Sequence, residues 1–214
     1  MTDRARSRLQ ALAAEVRACH ACDDLPYGPR PIFQAAAEAR ILIIGQAPGR
    51  RVHDTGIPWN DPSGDRLRSW LGVDRAAFYG PAFAIIPMGL CYPGSGPRGD
   101  HPPRRRCAPL WFARLRTLLP DVRLTLLIGR YAQAYHLTGP GARHGVAWHA
   151  RRGPHYGAVW PLPHPSGRNN AWLARHPWFA AEILPALQIR VREALSGGAS
   201  SAITPPPRHT PRPL

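Results

Sequence analysis

Four cysteines fall into two pairs that can share one metal site. Cys19 and Cys22 form a C-x2-C pair, and 15 residues separate Cys91 from Cys107. Two such pairs on different segments can close one tetrahedral thiolate site, and either zinc or an iron–sulfur cluster satisfies that geometry. Four unrelated buried thiols are the alternative, and the C-x2-C pair makes it the weakest of the three. A metal here would pin the N-terminal segment onto the middle of the domain, which is a structural role.

Two polar segments directly follow strand-like apolar runs. The sequence GQAPG occupies residues 45–49 after the run ILII, and the sequence HPSGRN occupies residues 164–169 after a later run. In an open parallel sheet the carboxyl ends of the strands face the binding crevice. We therefore predict that these two segments meet in one crevice.

The elements that must position these segments alternate between strands and helices. Apolar runs predict buried strands over residues 41–44, 83–86, 124–128 and about 158–162. Helical spacing of apolar residues predicts helices over residues 4–18, 63–71, 104–119, 131–137 and 178–195, with Ser63 as a helix cap. The alternation predicts an α/β fold, a three-layer α/β/α sandwich around a mostly parallel central sheet. We expect one domain over residues 1–195 and a disordered tail containing Pro and Arg over residues 196–214.

The chain carries a strong positive charge on arginine alone. Its 28 Lys+Arg against 13 Asp+Glu give a formal net charge of +15, and every one of these cations is an arginine. The absence of lysine excludes chemistry through a side-chain amine, such as that of a Schiff-base lyase. The planar guanidinium suits bidentate contacts to phosphate, so nucleic acid is the leading partner. A solvated basic surface without a partner would explain the charge equally well.

The apolar runs are far too short to span a bilayer. The first residues also show no cationic-then-apolar leader, so we expect a cytoplasmic protein with no membrane association. In a reducing compartment, cysteines serve as metal ligands or reactive thiols rather than as a disulfide framework.

With these motifs the sequence resembles the uracil-DNA glycosylase superfamily. Members carry a first motif of the form G-Q/E-x-P-G/Y and a second that begins His-Pro-Ser, as residues 45–49 and 164–169 do. The four-cysteine spacing is similar to that of the iron–sulfur branch called family 4, whose downstream Gly-x-Pro-Phe corresponds here to GIPW at residues 56–59. The resemblance covers about residues 19–195.

The resemblance implies a function and a cofactor. It implies a monomeric, monofunctional DNA glycosylase that flips uracil out of single- or double-stranded DNA and hydrolyses the N-glycosidic bond, in base excision repair. It implies a 4Fe-4S cluster rather than zinc on Cys19, Cys22, Cys91 and Cys107. Without lysine, the enzyme should have no lyase activity.

The resemblance also assigns roles to individual residues. Trp59 stacks on the flipped base, and His164 donates to the base O2 as it leaves. Backbone amides around Gln46 and Ala47 complete a base pocket that begins at Gly45. The DNA-contacting loop consists of Pro165, Ser166, Gly167 and Arg168, in which Ser166 contacts phosphate and Arg168 wedges into the duplex.

The first motif departs from the family pattern at the residue that positions the attacking water. Where the best-known branch has Asp this chain has Ala47, and where family 4 has Glu it has Gln46. Residues 39–181 contain no Glu and six Asp. We rank Asp54 first as the water-positioning acid, with Asp61 as the other acid beside the GIPW segment. Either acid is equally well explained as a helix cap or a solvated loop residue, and leaving-group stabilisation alone is a third possibility.

A second departure concerns the edge of the base. Family 4 places an Asn four residues before its third cysteine, and the matching residue here is Pro87, whose side chain cannot read a base. Gln46, Asn169 or backbone groups near Pro87 are the substitutes. The two departures together favour one alternative function, a non-catalytic or product-holding protein that binds uracil-containing or abasic DNA on the same fold.

Two arginine runs are candidate phosphate clamps. They are Arg104-Arg105-Arg106 before the fourth cysteine and Arg50-Arg51 after the first motif. A solvated basic face is the alternative for each run.

Overall fold

Short buried strands alternate with helices in a computed structural model that describes residues 3–97, 99–137 and 144–196. The strands are β1 (Ile41–Ile44), β2 (Phe83–Ile85), β3 (Ser95–Gly96), β4 (Gly99–Asp100), β5 (Leu124–Ile128) and β6 (Val159–Leu162). The α-helices are α1 (Asp3–Arg17), α2 (Arg50–Thr55), α3 (Pro62–Leu71), α4 (Arg75–Phe78), α5 (Cys107–Thr117), α6 (Gly129–His136), α7 (Val146–Arg151), α8 (Asn170–Arg175) and α9 (Leu184–Ser196). Two 3-10 helices, Gly153–Tyr156 and Gly167–Asn169, and a π-helix, Phe179–Ile183, complete these elements.

Four strands form a central sheet in the order β2-β1-β5-β6, and each neighbouring pair is parallel. The register pairs Ile44 with Leu127 and Ile128 with Leu162. An isolated antiparallel bridge joins Gln34 to Ile85 beside β2. Because the strands run in the same direction, the loops that follow β1, β5 and β6 emerge at one edge of the sheet.

The side chains of β1 alternate between two hydrophobic cores. Leu42 and Ile44 pack into a core that includes residues of α1 and α5. Ile41 and Ile43 pack into a second core with residues of α3 and α9. A strand covered on both faces must be apolar throughout, which explains the unbroken ILII run. This arrangement confirms the predicted three-layer α/β/α sandwich.

Several predicted boundaries need correction. Asp61 rather than Ser63 caps α3, since its carboxylate accepts the Gly64 N–H at 2.8 Å and Pro62 fills the first helical position, where an N–H has no partner. The helix α5 begins at Cys107 rather than at residue 104. The strands β1 and β5 have the predicted bounds.

The shortest elements carry no periodic signal in the sequence. The helices α2, α4, α7 and α8 and the antiparallel β3–β4 hairpin were not predicted, because none of them is long enough to show an amphipathic pattern. The predicted tail lies outside the described residues apart from Ser196, which ends α9.

Among the described helices, none has the length and apolar character required of a membrane span.

Candidate active site

A cavity of about 580 Å³ opens where the loops after β1 and β6 meet, a size typical of small-ligand sites. Its walls include most of the residues predicted for base and DNA binding, namely Gly45, Gln46, Ala47, Trp59, Pro87, His164, Ser166, Arg168 and Asn169. Pro165, Gly167 and Asp54 are not among its lining residues. The crevice predicted between the two strand-end segments is therefore present.

His164 is held as a neutral hydrogen-bond donor in this cavity. It follows β6 by two residues, and the Ser166 backbone N–H donates to its Nδ1 at 3.2 Å. Burial lowers the pKa of the His164 imidazole, and the negative charge of Asp61 opposes that shift. Because Nδ1 accepts a hydrogen bond, the neutral ring carries its proton on Nε2. The imidazole can therefore donate from Nε2 without bringing a positive charge into the cavity.

Trp59 forms an aromatic wall next to His164. The two ring centroids lie 5.5 Å apart, with 30° between the ring planes. A Cβ atom on Gly45 would lie 2.9 Å from Trp59 Cζ2, so only glycine leaves room for the indole at the end of β1. The backbone of Trp59 has φ 57°, a left-handed conformation that is uncommon for a bulky residue and often marks a functional site.

The first turn of α3 fixes Trp59 in this conformation. A Cβ atom on Gly64 would lie 1.7 Å from the Trp59 carbonyl oxygen, so the helix approaches the Trp59 backbone as only glycine permits. Arg68 Nη1 also donates to that carbonyl oxygen, at 3.4 Å. Sequence reasoning missed Gly64, although a glycine in the first turn of a helix is a signal of close backbone approach.

The substitution Gly64→Ala should therefore disturb both the fold and the cavity. We expect a loss of roughly 1–3 kcal/mol in the free energy of unfolding, because a methyl group is forced against backbone. Urea denaturation monitored by tryptophan fluorescence measures this loss. Gly145→Ala is the matched control, since among the described residues no atom beyond its two chain neighbours lies within 4 Å of the added Cβ. Equal stability of the two variants would show that Gly64 does not hold the Trp59 backbone.

The loop after β1 is anchored through its carbonyl groups. Met88 N–H donates to Gly45 O at 3.0 Å, and Gly89 N–H donates to Gln46 O at 2.9 Å. Within the described chain, the backbone N–H groups of Gln46 and Ala47 donate to no other residue. Two main-chain donors on the cavity wall are therefore available to a ligand.

The side-chain amides that were proposed to recognise the base donate hydrogen bonds to backbone carbonyl groups. Gln46 Nε2 donates to His101 O at 3.3 Å, and Asn169 Nδ2 donates to His164 O at 2.6 Å. Pro87 lines the wall without a polar side chain. In this conformation Asn169 positions the His164 backbone.

An arginine from α3 secures the loop after β6. Arg66 Nη1 donates to Asn170 Oδ1 at 2.8 Å and to Ser166 O at 3.4 Å. From that loop Arg168 reaches the β3–β4 hairpin, since a Cβ atom on Gly99 would lie 1.5 Å from its Nη1. Sequence reasoning missed Arg66, because one arginine among 28 carries no distinguishing pattern.

The prediction that Asp54 positions water does not fit its location. Asp54 lies on α2 outside the cavity lining, with its side chain 51% exposed and paired to Arg50 Nε at 2.9 Å. Among the described residues, the carboxylates that line the cavity are Asp61 and Asp100. Asp61 was considered from the sequence, whereas Asp100 was missed because it lies in the unpredicted β3–β4 hairpin.

All four cysteines line a second, smaller apolar cavity. The Leu90 N–H donates to Cys107 Sγ and the Trp111 Nε1–H donates to Cys19 Sγ, both at 3.3 Å. Burial raises the pKa of the Cys91 thiol to about 11 and that of the Cys107 thiol to about 12. The four thiols form no disulfide. No group of three or more His, Cys, Asp or Glu side chains in the described ranges is arranged to hold a metal ion.

Two arginines proposed as phosphate clamps instead contact the segment that contains the first cysteine pair. Arg104 Nη2 lies 2.7 Å from Asp24 Oδ2, and Arg106 Nη1 donates to Ala21 O at 2.7 Å. Both residues line the thiol cavity. Their charges therefore lie beside the cysteines. Arg50, in the other run, is paired with Asp54.

Residues 32–188 match the family model described as the uracil DNA glycosylase superfamily. The matched range contains both loops of the cavity together with Cys91 and Cys107, and the C-x2-C pair precedes it. The match is to the superfamily as a whole.

Proposed function

The chain belongs to the uracil DNA glycosylase superfamily, and from this premise we propose that it excises uracil from DNA by hydrolysing the N-glycosidic bond. The observation that carries this proposal is the neutral His164 donor beside the Trp59 ring in a cavity at the carboxyl edge of the sheet. The cellular role that follows is the first step of base excision repair.

The cavity suits a base that has been flipped out of DNA. A glycosylase must seat the extruded base against an apolar or aromatic surface and hold it by hydrogen bonds. Trp59 supplies the aromatic surface, and Gly45 leaves the space into which its ring fits. The strained Trp59 backbone holds this surface in place before the base arrives.

His164 and the loop after β1 stabilise the leaving uracil. Bond cleavage places negative charge on the base, and donors aimed at that charge lower the barrier. Nε2–H of His164 donates to the base O2, and the free N–H groups of Gln46 and Ala47 add main-chain donors. A neutral imidazole can fill this role, because its hydrogen bond strengthens as negative charge develops on the base.

DNA is bound by the loop after β6 and by the general charge of the chain. This loop consists of Pro165, Ser166, Gly167 and Arg168 and lies at the cavity mouth. Arg66 donates a hydrogen bond to its backbone at Ser166 O and another to the Asn170 side chain. A net charge of +15 carried by arginine favours bidentate phosphate contacts. We expect affinity for single- or double-stranded uracil-containing DNA to fall steeply with salt.

We propose that Cys19, Cys22, Cys91 and Cys107 hold a 4Fe-4S cluster, and three features of their cavity support this assignment. They share one cavity, receive N–H donors at two sulfurs and have Arg104 and Arg106 beside them. A zinc site needs its sulfurs about 2.3 Å from one ion. A 4Fe-4S cluster would instead take each thiolate on a separate iron, so it suits thiols that do not converge on one point. The cluster would cross-link the N-terminal segment to the domain.

The absence of lysine predicts that the reaction stops at the abasic site. Strand cleavage by a lyase proceeds through an imine, which requires an amine nucleophile. We therefore expect no covalent protein–DNA complex when the reaction is run with borohydride. Denaturing electrophoresis checks this, with a bifunctional glycosylase as the positive control. A trapped complex would show that the α-amino group of the chain serves as the nucleophile.

A base-release assay tests the proposed function. Purified protein is incubated with matched duplexes that contain uracil, hypoxanthine or a thymine mismatch, and abasic sites are revealed by alkaline cleavage. We expect cleavage at uracil. Intact oligonucleotides throughout, despite binding to abasic DNA, would favour a product-holding DNA-binding protein instead.

A further inference from the structure

Water must attack the sugar during hydrolysis, and most of the aspartates that could position this water have other partners. Asp54 pairs with Arg50, and Asp65 pairs with Arg68. Asp61 and Asp74 are the N-caps of α3 and α4, accepting the N–H groups of Gly64 and Ala77, respectively. Asp121 is exposed in the turn before β5, at the edge of the sheet opposite the cavity.

Asp100 differs from these residues in both position and partners. It ends β4 and lines the cavity. Its Oδ2 lies 3.4 Å from the point that a Cβ atom would occupy on Gly49, so the carboxylate lies over the last residue of the GQAPG loop. Across the ranges that the structure describes, the carboxylate accepts no hydrogen bond and makes no ion pair within 4.0 Å. Its oxygens are therefore available to water.

The surroundings of Asp100 act on its basicity in opposite directions. Partial desolvation raises the pKa of the Asp100 carboxyl, and nearby Asp61 raises it further. The Arg168 guanidinium and His101 act in the opposite direction and lower that pKa. A carboxylate with a raised pKa is a stronger base than an ordinary aspartate.

We propose that Asp100 positions and deprotonates the water that attacks the flipped deoxyuridine, an assignment that rests on the proposed function. The water oxygen bonds to C1′ of the sugar while the bond from C1′ to N1 of uracil breaks. The electron pair of that bond leaves with the base, whose charge His164 stabilises. The water proton passes to Asp100 and then to solvent. The GQAPG motif contains no carboxylate, and Asp100 provides one from the neighbouring hairpin.

Single-turnover excision from a uracil duplex by Asp100→Asn, Asp100→Glu and Asp121→Asn tests this proposal. We expect Asp100→Asn to lower the rate by 10²-fold or more, within the range of general-base catalysis (about 10²–10⁴). Asp100→Glu should recover part of that loss, because it restores a carboxylate. Asp121→Asn should match wild type. Affinity of Asp100→Asn for abasic DNA should stay within a few-fold of wild type, since a structural defect would weaken binding as well.

The pH profile separates a base from a merely structural residue. The wild-type rate should fall as pH drops through the Asp100 pKa, which lies above the ordinary aspartate value, and Asp100→Asn should lose this acidic limb. An Asp100→Asn rate within three-fold of wild type, or a large loss in Asp54→Asn instead, overturns the assignment while leaving the proposed function intact. A wild-type protein that releases no base from any duplex overturns both.

Discussion

His164→Ala should slow uracil release by roughly 10²–10³-fold under single-turnover conditions, the usual cost of one lost donor to a developing anion. The variant removes the Nε2–H that the Ser166 N–H orients through Nδ1. Binding of uracil DNA should change little, because the lost hydrogen bond strengthens only as charge develops on the base. The measurement is the rate of alkali-sensitive site formation with enzyme in excess.

The matched control is His144→Ala, which removes an exposed imidazole that does not line the cavity. It should retain the wild-type rate. If His164→Ala is as fast as wild type, uracil departure does not depend on this imidazole. If His164→Ala also loses affinity for abasic DNA, the side chain acts mainly in binding.

Cys107→Ser should abolish iron binding and strongly destabilise the protein. Cys107 opens α5 and accepts the Leu90 N–H, so its thiol joins the middle of the chain to the cavity shared with Cys19 and Cys22. Loss of a structural metal is one of the few single changes that cost more than about 4 kcal/mol, which lowers the melting temperature by roughly 10 °C or more. Visible absorbance, iron and sulfide content and thermal melting measure these effects.

Ala113→Ser is the matched control, since it introduces the same hydroxyl at an exposed position of α5. It should keep the brown colour and the wild-type melting temperature. Reconstitution with iron and sulfide should restore absorbance to metal-free wild type and not to Cys107→Ser. A colourless wild-type protein with one zinc per chain would contradict the iron–sulfur assignment.

The sequence was sufficient to predict the layers of the fold and the two loops that meet at the cavity. Strands buried on both faces must be apolar throughout, so ILII gave β1 without error. Because parallel strands end at one edge, residues 45–49 and 164–169 could be placed together before the structure was known. Trp59 and His164 do lie 5.5 Å apart between their ring centroids.

The sequence was not sufficient to predict contacts that depend on short elements. Asp100 reaches the GQAPG loop through a hairpin of two-residue strands, which has no periodicity to detect. Its partner in space, Gly49, is 51 positions away in the chain. Asp54 is close to the motif in sequence, but α2 places its carboxylate one turn from Arg50, and the two side chains pair on an exposed face. Proximity in sequence was therefore a poor guide to the carboxylates that line the cavity.

Direct detection of the released base tests the central claim. Wild-type protein reconstituted with iron and sulfide is incubated with a uracil-containing duplex, and the products are analysed by mass spectrometry. We expect free uracil together with an unbroken strand that carries one abasic site, and no free uracil from a duplex with thymine in its place. A strand that keeps its uracil while bound to the protein would contradict the claim that this cavity hydrolyses the N-glycosidic bond.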